Sequence, residues 1–532
     1  MFYRLNSATV IGIDASIIEI EVDLKKGLPH QTIVGLPDTA LKEAKERVHS
    51  AIRNSGFDFP LGNLTINLAP ADIRKEGSIF DLSIALGILI VSDQVKPSVD
   101  IGTYILLGEL SLDGFLRPIH GTLAILENAK ESGIQNIIIP EANYEEACLI
   151  SGLNIYPVKY LVEAVRLISD FHNTGCPGIV KNVHVRSQSG KKRDNREKLE
   201  EYDIDFSEVR GQNYAIRAVE IASSGGHNLL LIGSPGSGKT MIANRIPTVL
   251  PELTEKESIE TTKIYSIAGY LHPHTGLIRK RPFRAPHHTA SDISIIGGGK
   301  NPIPGEITLA HNGILYLDEF TEFRNSIIQS LRQPVESGLI TISRADCRVS
   351  YPALFMLVAS MNPCPCGYLF DPERTCQCNT AQIGKYYMKI SGPILDRIDL
   401  QVELKPLKAS EIVENKPSES SVVIKTHVIN ARNRQSERLL KYGIHLNAHM
   451  NIDLIKKYCV LDKQLQELLY SAVKKFKLSA RSYYKVLKVS RTIADLDNRE
   501  SIQEEDILEA LSFREVENIL YNHSAEKKNI VL

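Results

Sequence analysis

The fold of this chain is decided by residues 229–245, LLLIGSPGSGKTMIANR, where an apolar run leads into a glycine-rich loop and then a helical pattern. Residues 233–240 match G-x-x-x-x-G-K-[ST] in full. The matching residues are Gly233, Ser234, Pro235, Gly236, Ser237, Gly238, Lys239 and Thr240. Glycines let backbone N–H groups turn around phosphate oxygens, and the helix N-terminus adds partial positive charge. Because strand, loop and helix follow in order, the motif predicts a phosphate-binding P-loop rather than a chance turn.

Four side chains supply the chemistry expected of such a site. Lys239 is expected to reach the β- and γ-phosphates of ATP, and the Thr240 hydroxyl to ligate Mg²⁺. A second apolar run, residues 314–317, ends in Asp318 and Glu319. We predict Asp318 beside the metal and Glu319 as the base for the attacking water. A solvated strand end is the alternative, and a full P-loop upstream makes it the weaker interpretation.

Two further polar residues are candidates for the same site. Asn362 directly follows an apolar strand pattern and can orient the attacking water, although alone it reads as a turn residue before Pro363. Arg397 can serve as an arginine finger toward the γ-phosphate of a neighbouring subunit. Spacing also allows a finger within the same subunit, or a plain helix-surface arginine.

Length and composition indicate a multidomain globular protein. A chain of 532 residues is too long for one hydrophobic core. Its formal net charge of −1 draws it to neither nucleic acid nor an anionic membrane, so such binding needs local patches. The first two dozen residues carry acidic groups and lack a secretory pattern, and no apolar run reaches membrane-spanning length. We expect a cytoplasmic protein with no membrane partner.

Periodicity predicts three folded regions and one linker. Residues 1–171 alternate strand patterns, at 18–24 and 64–68, with a helical pattern at 39–55, which indicates an α/β domain. Residues 172–203 are rich in Gly, Ser and charge, and read as a flexible linker. Residues 204–405 carry continuous apolar strands, typical of a parallel sheet covered on both faces. Residues 406–532 predict a helical domain, with residues 422–424 as a short strand-like run.

Four of the eight cysteines fall into two C-x-C pairs in an insertion at residues 364–378. The pairs are formed by Cys364, Cys366, Cys376 and Cys378. Four thiolates can surround one Zn²⁺ tetrahedrally, so a structural zinc site is favoured over free thiols. A reducing cytosol disfavours the disulfide alternative.

Long stretches of the sequence resemble the magnesium-chelatase-like AAA+ proteins of the ComM/YifB family. The stretches include residues 205–240, RPFRAPHHTAS at 281–291, PGEITLAHNGILYLDEF at 304–320, ASMNPCPCG at 359–367, SGPILDRIDL at 391–400 and LSARSYYKVLKVSRTIADL at 478–496. The likeness covers nearly the whole chain. The resemblance implies that Asn362 is sensor 1, Arg397 an arginine finger acting in trans, and Arg481 the sensor 2 arginine of a helical lid. It also implies a homo-hexameric ring with ATP sites between subunits.

The resemblance further implies that the protein acts on DNA. Proteins of this kind are associated with natural transformation, as helicases that promote branch migration. Candidate contacts are a basic cluster, Arg279, Lys280, Arg281 and Arg284, and a hairpin over residues 341–349 that bears Arg344. Six copies of such a loop around one pore can track a phosphate backbone. Each of these residues is equally compatible with a solvated surface charge. His287 and His288 belong to a family motif of unassigned role, and we do not predict them as metal ligands.

The N-terminal region resembles the proteolytic domain of Lon-type proteases in residues 75–81 and 108–121. A Ser-Lys protease needs a serine nucleophile and a lysine base. The corresponding positions hold Ile79 and Leu123, which can do neither, and Ser78 next to them lacks a partner lysine. We therefore predict a structural or DNA-engaging domain rather than a peptidase.

Three functions of different classes follow from these patterns. The first is a DNA-remodelling ATPase. The second is the ATPase subunit of a metal chelatase or of a protein-remodelling complex, which leaves the protease-like domain and the cysteine insertion unexplained. The third is an ATP-dependent protease, which the residues at positions 79 and 123 argue against.

Overall fold

The structure is a computed structural model. It describes residues 1–35, 39–73, 75, 77–169, 202–271, 276–299, 302–343, 348–371, 373–390, 392–406, 418–476 and 478–514. The described residues form two compact units, one from within residues 1–196 and 255–278 and the other from within 197–254 and 279–532. Within these ranges, no helix combines the length and apolar character needed to cross a bilayer.

The first unit is built on a seven-stranded mixed sheet of order β3-β4-β2-β1-β5-β8-β9. Its strands, with a two-stranded β6-β7 ribbon, are β1 Phe2–Ile11, β2 Asp14–Lys25, β3 His30–Val34, β4 Asn63–Ala69, β5 Tyr104–Leu106, β6 Glu109–Leu110, β7 Leu116–Arg117, β8 Asn136–Pro140 and β9 Asn154–Val158. Strands β1 and β2 pair antiparallel over ten residue pairs, and alternation along β2 buries Ile18, Ile20 and Val22.

Helices cover this sheet and complete two apolar cores. The helices of the first stretch are α1 Thr39–Asn54, α2 Asp81–Val91, α3 Thr122–Glu131, α4 Tyr144–Ala147 and α5 Leu161–Ser169. Every residue of α2 is buried. Its Asp81 carboxylate is paired with Arg47 at 3.0 Å, which satisfies a charge that burial alone would make costly.

Residues 255–278 join the first unit although they follow the P-loop helix in sequence. Their helix, α8 Glu255–Ile267, buries Ile264 and packs on α3. The Ser266 hydroxyl accepts a hydrogen bond from the Gly121 amide at 3.1 Å, and Lys263 forms an ion pair with Glu127. Sequence position alone predicts that these residues belong to the 204–405 core. Their apolar and polar partners instead lie in the N-terminal unit, a pairing that periodicity within α8 cannot reveal.

The second unit contains a five-stranded, all-parallel sheet of order β11-β14-β17-β10-β18. The strands of this unit, with two small hairpins, are β10 Leu229–Gly233, β11 Phe283–Arg284, β12 Gly297–Gly298, β13 Ile303–Pro304, β14 Ile314–Leu317, β15 Leu339–Ser343, β16 Arg348–Pro352, β17 Met356–Met361 and β18 Leu400–Leu404. Every residue of β10, β14 and β17 is buried, as their continuous apolar runs predict.

Helices pack around this sheet and continue into a helical C-terminal region. The helices around the sheet are α6 Asn213–Gly225, α7 Lys239–Val249, α9 Asp292–Ile296, α10 Glu306–Leu309, α11 Asn325–Ser330, α12 Arg332–Ser337, α13 Thr380–Lys389 and α14 Gly392–Leu395. The C-terminal helices are α15 Ser421–Leu439, α16 Ile452–Tyr458, α17 Lys463–Phe476, α18 Ala480–Leu496 and α19 Glu504–Ser512. One apolar cluster includes strand residues such as Leu229 and helix residues such as Val486. The C-terminal helices therefore share a core with the sheet.

The predicted α/β fold class with a helical C-terminal region is confirmed, and some details differ. Residues 422–424, read as strand-like, lie in α15 instead, because Ile424 belongs to a helical stripe with Val428 and Ala431. Most of the predicted linker, residues 170–201, lies outside the described residues. Residues 339–343 and 348–352 form the predicted hairpin, but its Arg344 is also outside them.

The two positions that correspond to a protease dyad lie in an apolar setting. Leu123 is fully buried in α3, and Ile79 packs against the apolar cluster that contains Leu123. The Ser78 hydroxyl donates to the Glu109 carboxylate, and the buried Lys75 ammonium donates to the carbonyl of Pro70. These contacts tie the motif to its own unit of the fold.

We expect Leu123→Ala to destabilise the first unit by about 3 kcal/mol, because it leaves a cavity in a closed core. Calorimetry of the full chain should show a lower Tm for the affected transition. Leu112→Ala is the control, since that side chain is 56% exposed and its loss should cost less than about 0.5 kcal/mol. Equal Tm values for both variants would contradict the burial assigned to α3.

Candidate functional site

The P-loop connects the end of β10 to the start of α7. Gly238 takes φ +92° and is the residue before the first turn of α7, a conformation that a side chain would strain. The backbone N–H groups of that turn have no partner within the helix. The loop therefore presents hydrogen-bond donors at a helix N-terminus, as phosphate binding requires.

The Lys239 side chain lies across the loop. Its Nζ atom donates to the carbonyl oxygens of Gly233 at 2.7 Å and Ser234 at 3.0 Å, and to Oδ1 of Asn362 at 3.2 Å. Burial lowers the pKa of the Lys239 ammonium, while the charges of Asp318 and Glu319 act in the opposite direction. The P-loop lysine and Asn362, which are far apart in sequence, are therefore direct neighbours.

Asp318 is held by hydroxyl groups at the end of β14. Its Oδ2 accepts from the Thr240 hydroxyl at 3.0 Å, and its Oδ1 accepts from the buried Ser360 hydroxyl. Tyr316 donates to Ser360 at 3.3 Å and so extends the chain of hydrogen bonds. Burial raises the pKa of the Asp318 carboxyl, but the hydroxyl donors, Ser360 first, outweigh it and bring the pKa below its usual value. Asp318 and Thr240 thus offer two adjacent oxygen ligands that suit Mg²⁺.

Glu319 joins this network through its amide, which donates to Oδ1 of Asp318 at 3.1 Å, while its side chain is exposed. Its backbone lies in the left-handed region at φ +51°, which is unusual for a residue with a side chain. The carboxylate is 56% exposed, and its Oε2 lies 3.3 Å from Nδ1 of His288. His288 also packs edge-on against Phe323, with ring centroids 6.4 Å apart. An exposed acid beside a positioned imidazole is suited to accept a proton from water.

Arg397 and Arg481 meet at one carboxylate, that of Glu336 in α12. Arg397 forms an ion pair with Oε2 of Glu336, and Arg481 lies 3.6 Å from Oε1. The carbonyl of Arg397 accepts a hydrogen bond from the Asn228 side chain at 3.1 Å. Asn228 precedes β10, whereas the P-loop follows it, and the strand separates the two by roughly 16 Å. The main chain of Arg397 is thus anchored at the opposite sheet edge from the phosphate loop.

The four clustered cysteines converge in the structure. Their Sγ atoms all lie within 4.8 Å of one another. The Cys364–Cys366, Cys364–Cys376 and Cys366–Cys376 sulfur separations are 3.3, 3.6 and 3.5 Å. Tetrahedral zinc with Zn–S bonds of about 2.3 Å needs sulfur separations of about 3.8 Å. The thiols are therefore close to the arrangement that would hold Zn²⁺.

The predicted basic cluster divides into structural and surface residues. Arg281 donates to the carbonyls of Pro251 and Asn312, both at 2.8 Å. Arg284 forms a bidentate pair with Glu306 at 2.6 and 2.7 Å. These two arginines hold loops of the second unit together, so part of their hydrogen-bonding capacity is used within the fold. Arg279 is exposed, and Lys280 lies 4.8 Å above the Tyr202 ring.

Sequence reasoning missed three residues that touch the predicted site. Ser360 had a detectable signal, because it lies two residues before Asn362 and the strand period places both on one side. His288 stood out only as part of a family motif of unassigned role, and Glu336 had no signal. Only the fold brings them to Glu319 and to the two arginines. Such partners from distant segments are visible only once the tertiary structure is known.

Three family models match the chain in sequence. Residues 205–412 match a model described as magnesium chelatase, subunit ChlI, and residues 20–143 match one described as subunit ChlI of Mg-chelatase. Residues 418–514 match the model for the C-terminal part of the same subunit. The matches fall on the N-terminal region, the P-loop core and the helical C-terminal region.

Individual relatives extend the likeness to full length. Competence protein ComM of Haemophilus influenzae is 40% identical over 518 residues, 97% of this chain and 97% of that protein. The uncharacterized protein YifB of Escherichia coli is also 40% identical over 518 residues, with the same coverage of both chains. Lon protease 2 of Bacillus subtilis is 28% identical over 180 residues, 30% of this chain and 32% of the protease. The chain has the P-loop, the two carboxylates and the helical C-terminal region, and its similarity extends over nearly its whole length. It therefore belongs to the ComM/YifB family of magnesium-chelatase-like AAA+ proteins.

Proposed function

We propose that this protein binds and hydrolyses ATP through the site around Lys239. The observation that carries the proposal is the convergence of three segments: Lys239 contacts Asn362, and Thr240 contacts Asp318. The donors of the P-loop are suited to the phosphates, and Lys239 to the β- and γ-oxygens. Membership of an AAA+ family supports the same activity.

Each remaining residue of the site takes one role in the proposed reaction. Thr240 and Asp318 are placed to hold Mg²⁺, which when bound would neutralise charge developing on the phosphates. Glu319 accepts the proton of the attacking water, and Asn362 orients that water. The hydrogen bonds that lower the pKa of Asp318 support its role, since they keep the carboxylate ionised.

We assign Arg397, as an arginine finger, to the ATP site of a neighbouring subunit in a homo-hexameric ring, and Arg481 to the sensor 2 position of the helical lid. The anchorage of Arg397 at the far end of β10 from its own P-loop supports action in trans. Arg481 shares the Glu336 carboxylate with Arg397, so the two cations lie side by side. Arginine in this role stabilises the charge of the transferring phosphoryl group.

We further propose that ATP hydrolysis drives DNA remodelling, as a cytoplasmic helicase or branch-migration motor in natural transformation or recombination. Identity of 40% to a protein named for competence supports this use. Exposed Arg279 and the β15-β16 hairpin are the candidate DNA contacts of this chain. The N-terminal unit, with Ile79 and Leu123 in an apolar setting, serves as a structural or DNA-engaging domain.

A structural Zn²⁺ held by Cys364, Cys366, Cys376 and Cys378 completes the proposal. The sulfur separations support it, because unligated thiolates at such distances repel one another while a divalent cation attracts all four. Sulfur ligands in a tetrahedral set favour zinc over magnesium or calcium.

Glu319→Gln is expected to retain ATP and to lower kcat by at least about 100-fold, since the amide cannot accept the proton. Lys239→Ala should abolish nucleotide binding. Steady-state ATPase assays and titration with a fluorescent ATP analogue distinguish the two effects. Glu322→Gln, a matched loss of charge on the same segment, is the control. Normal turnover by Glu319→Gln would remove it as the base.

His288→Ala should lower kcat about tenfold with little change in KM, because the exposed Glu319 carboxylate loses the imidazole that orients it. His288→Asn should recover part of the rate, since its amide can still donate a hydrogen bond. His30→Ala, at an exposed histidine of β3, is the control, since His287 packs against the His288 ring with centroids 4.2 Å apart. If the variants of both histidines behaved alike, the contact with Glu319 would have no role in hydrolysis.

DNA dependence of the ATPase tests the proposed motor. We expect stimulation by single-stranded or forked DNA and ATP-dependent unwinding of the fork. Arg279→Ala should weaken DNA binding and reduce its salt dependence, whereas exposed Lys463→Ala at the start of α17 should change neither. An ATPase indifferent to all DNA would instead favour a protein- or metallation-directed remodeller.

A further inference from the structure

The cysteine loop, residues 364–378, is attached at both ends to the ATP site. At its first end, Asn362 lies two residues before the buried Cys364 and contacts Lys239 at 3.2 Å. At its second end, α13 begins two residues after Cys378 with a capping box formed by Asn379 and Gln382. A change in how the four thiols are held would therefore be transmitted to Asn362 at one end of the loop and to the capped start of α13 at the other.

Two tyrosines of α13 reach back to the first end of the loop. The Tyr386 hydroxyl donates to the carbonyl of Asn362 at 3.1 Å, and the Tyr387 hydroxyl donates to that of Pro363. Tyr386 also accepts a hydrogen bond from Thr321, three residues after Asp318, at 2.9 Å. The loop, Asn362 and the segment after Asp318 thus form one hydrogen-bonded cluster.

The loop also lies directly against the P-loop. Gly367 takes φ +86°, and a Cβ atom on it would come within 2.6 Å of Cδ and 2.9 Å of Cγ of Pro235. Its amide donates to the carbonyl of Cys364 at 3.0 Å, which closes a tight turn between two of the thiols. The backbone of this turn therefore packs closely against the Pro235 ring.

We propose that the metal held by the four cysteines fixes Pro235 and Asn362 in position, so that zinc and nucleotide binding stabilise each other. A tetrahedral ion cross-links the two ends of the cysteine loop and reduces the conformational freedom that the loop would otherwise have. Without the ion, the cysteine loop is no longer cross-linked, and Gly367 and Asn362 lose the restraint that the cross-link provides. Because such coupling is a free energy between two sites, it acts equally in both directions.

The inference rests on the ATP and zinc sites proposed above, and one set of titrations tests it. The full chain is compared zinc-loaded and zinc-stripped, with a non-thiol reductant present to keep the cysteines reduced. We expect the Kd for a fluorescent ADP analogue to rise about tenfold on stripping and to recover when zinc is returned. Equal Kd values would overturn the coupling while leaving the ATP site intact.

The reverse titration measures zinc rather than nucleotide. Competition with a colorimetric chelator should show zinc bound about tenfold more tightly when ADP saturates the chain. Lys239→Ala should abolish this effect but keep one zinc per chain, because it leaves the thiols untouched. A chain that binds no zinc would overturn the zinc site, and a zinc-loaded chain without nucleotide affinity would overturn the proposed ATPase.

Two variants separate the metal from the contact that transmits its effect. Cys376→Ser should lose zinc and weaken nucleotide binding, whereas Cys148→Ser, outside the cluster, should do neither. Gly367→Ala keeps all four thiols, so it should retain zinc yet weaken nucleotide binding by forcing Pro235 to move. If Cys376→Ser fails to fold, Gly367→Ala decides the matter: unchanged nucleotide affinity in that variant would contradict the proposal.

Discussion

The whole candidate site depends on one backbone constraint, the placement of β17 between β10 and β14 in a parallel sheet. The register sets Ile232 of β10 beside Met361, and Leu317 of β14 beside Ala359. Because parallel strands end at the same edge, the P-loop, Asp318 and Asn362 emerge side by side. The contacts among Lys239, Asn362, Thr240 and Asp318 follow from that arrangement.

A buried ion pair links the helical region to this sheet. Asp399, just before β18, lies 2.8 Å from Lys485 of α18, and its other oxygen accepts from the Asn228 amide at 2.8 Å. Burial raises the pKa of Asp399, but Lys485 outweighs it and holds the pKa well below its usual range. Removal of either partner would leave a buried charge unpaired. Arg481, on the same helix, is thereby kept at a defined distance from the P-loop strand.

Helix α8 interrupts the second unit in sequence, because residues 255–278 belong to the first unit. After α7 the chain leaves the second unit for residues 255–278 and returns at Arg279, whose carbonyl accepts from the Leu253 amide at 2.9 Å. This hydrogen bond joins the point where the chain leaves the second unit to the point where it returns. Helix α8, between them, carries Lys263 and Ser266 into contacts with the first unit.

Features that depend on local pattern could be predicted from the amino-acid sequence alone. They include the P-loop at residues 233–240, the apolar strands before Asp318 and Asn362, and the clustered cysteines. Each of these signals depends on the residue types within a short stretch of sequence. Contacts between distant segments became known only with the three-dimensional fold. It placed His288 at Glu319, Glu336 between Arg397 and Arg481, α8 on the N-terminal unit, and Gly367 against Pro235. It also tied Arg281 and Arg284 into the fold, where the sequence had suggested DNA contacts. The physical reason is that side-chain contacts across a fold depend on strand order and helix packing, which local periodicity does not encode.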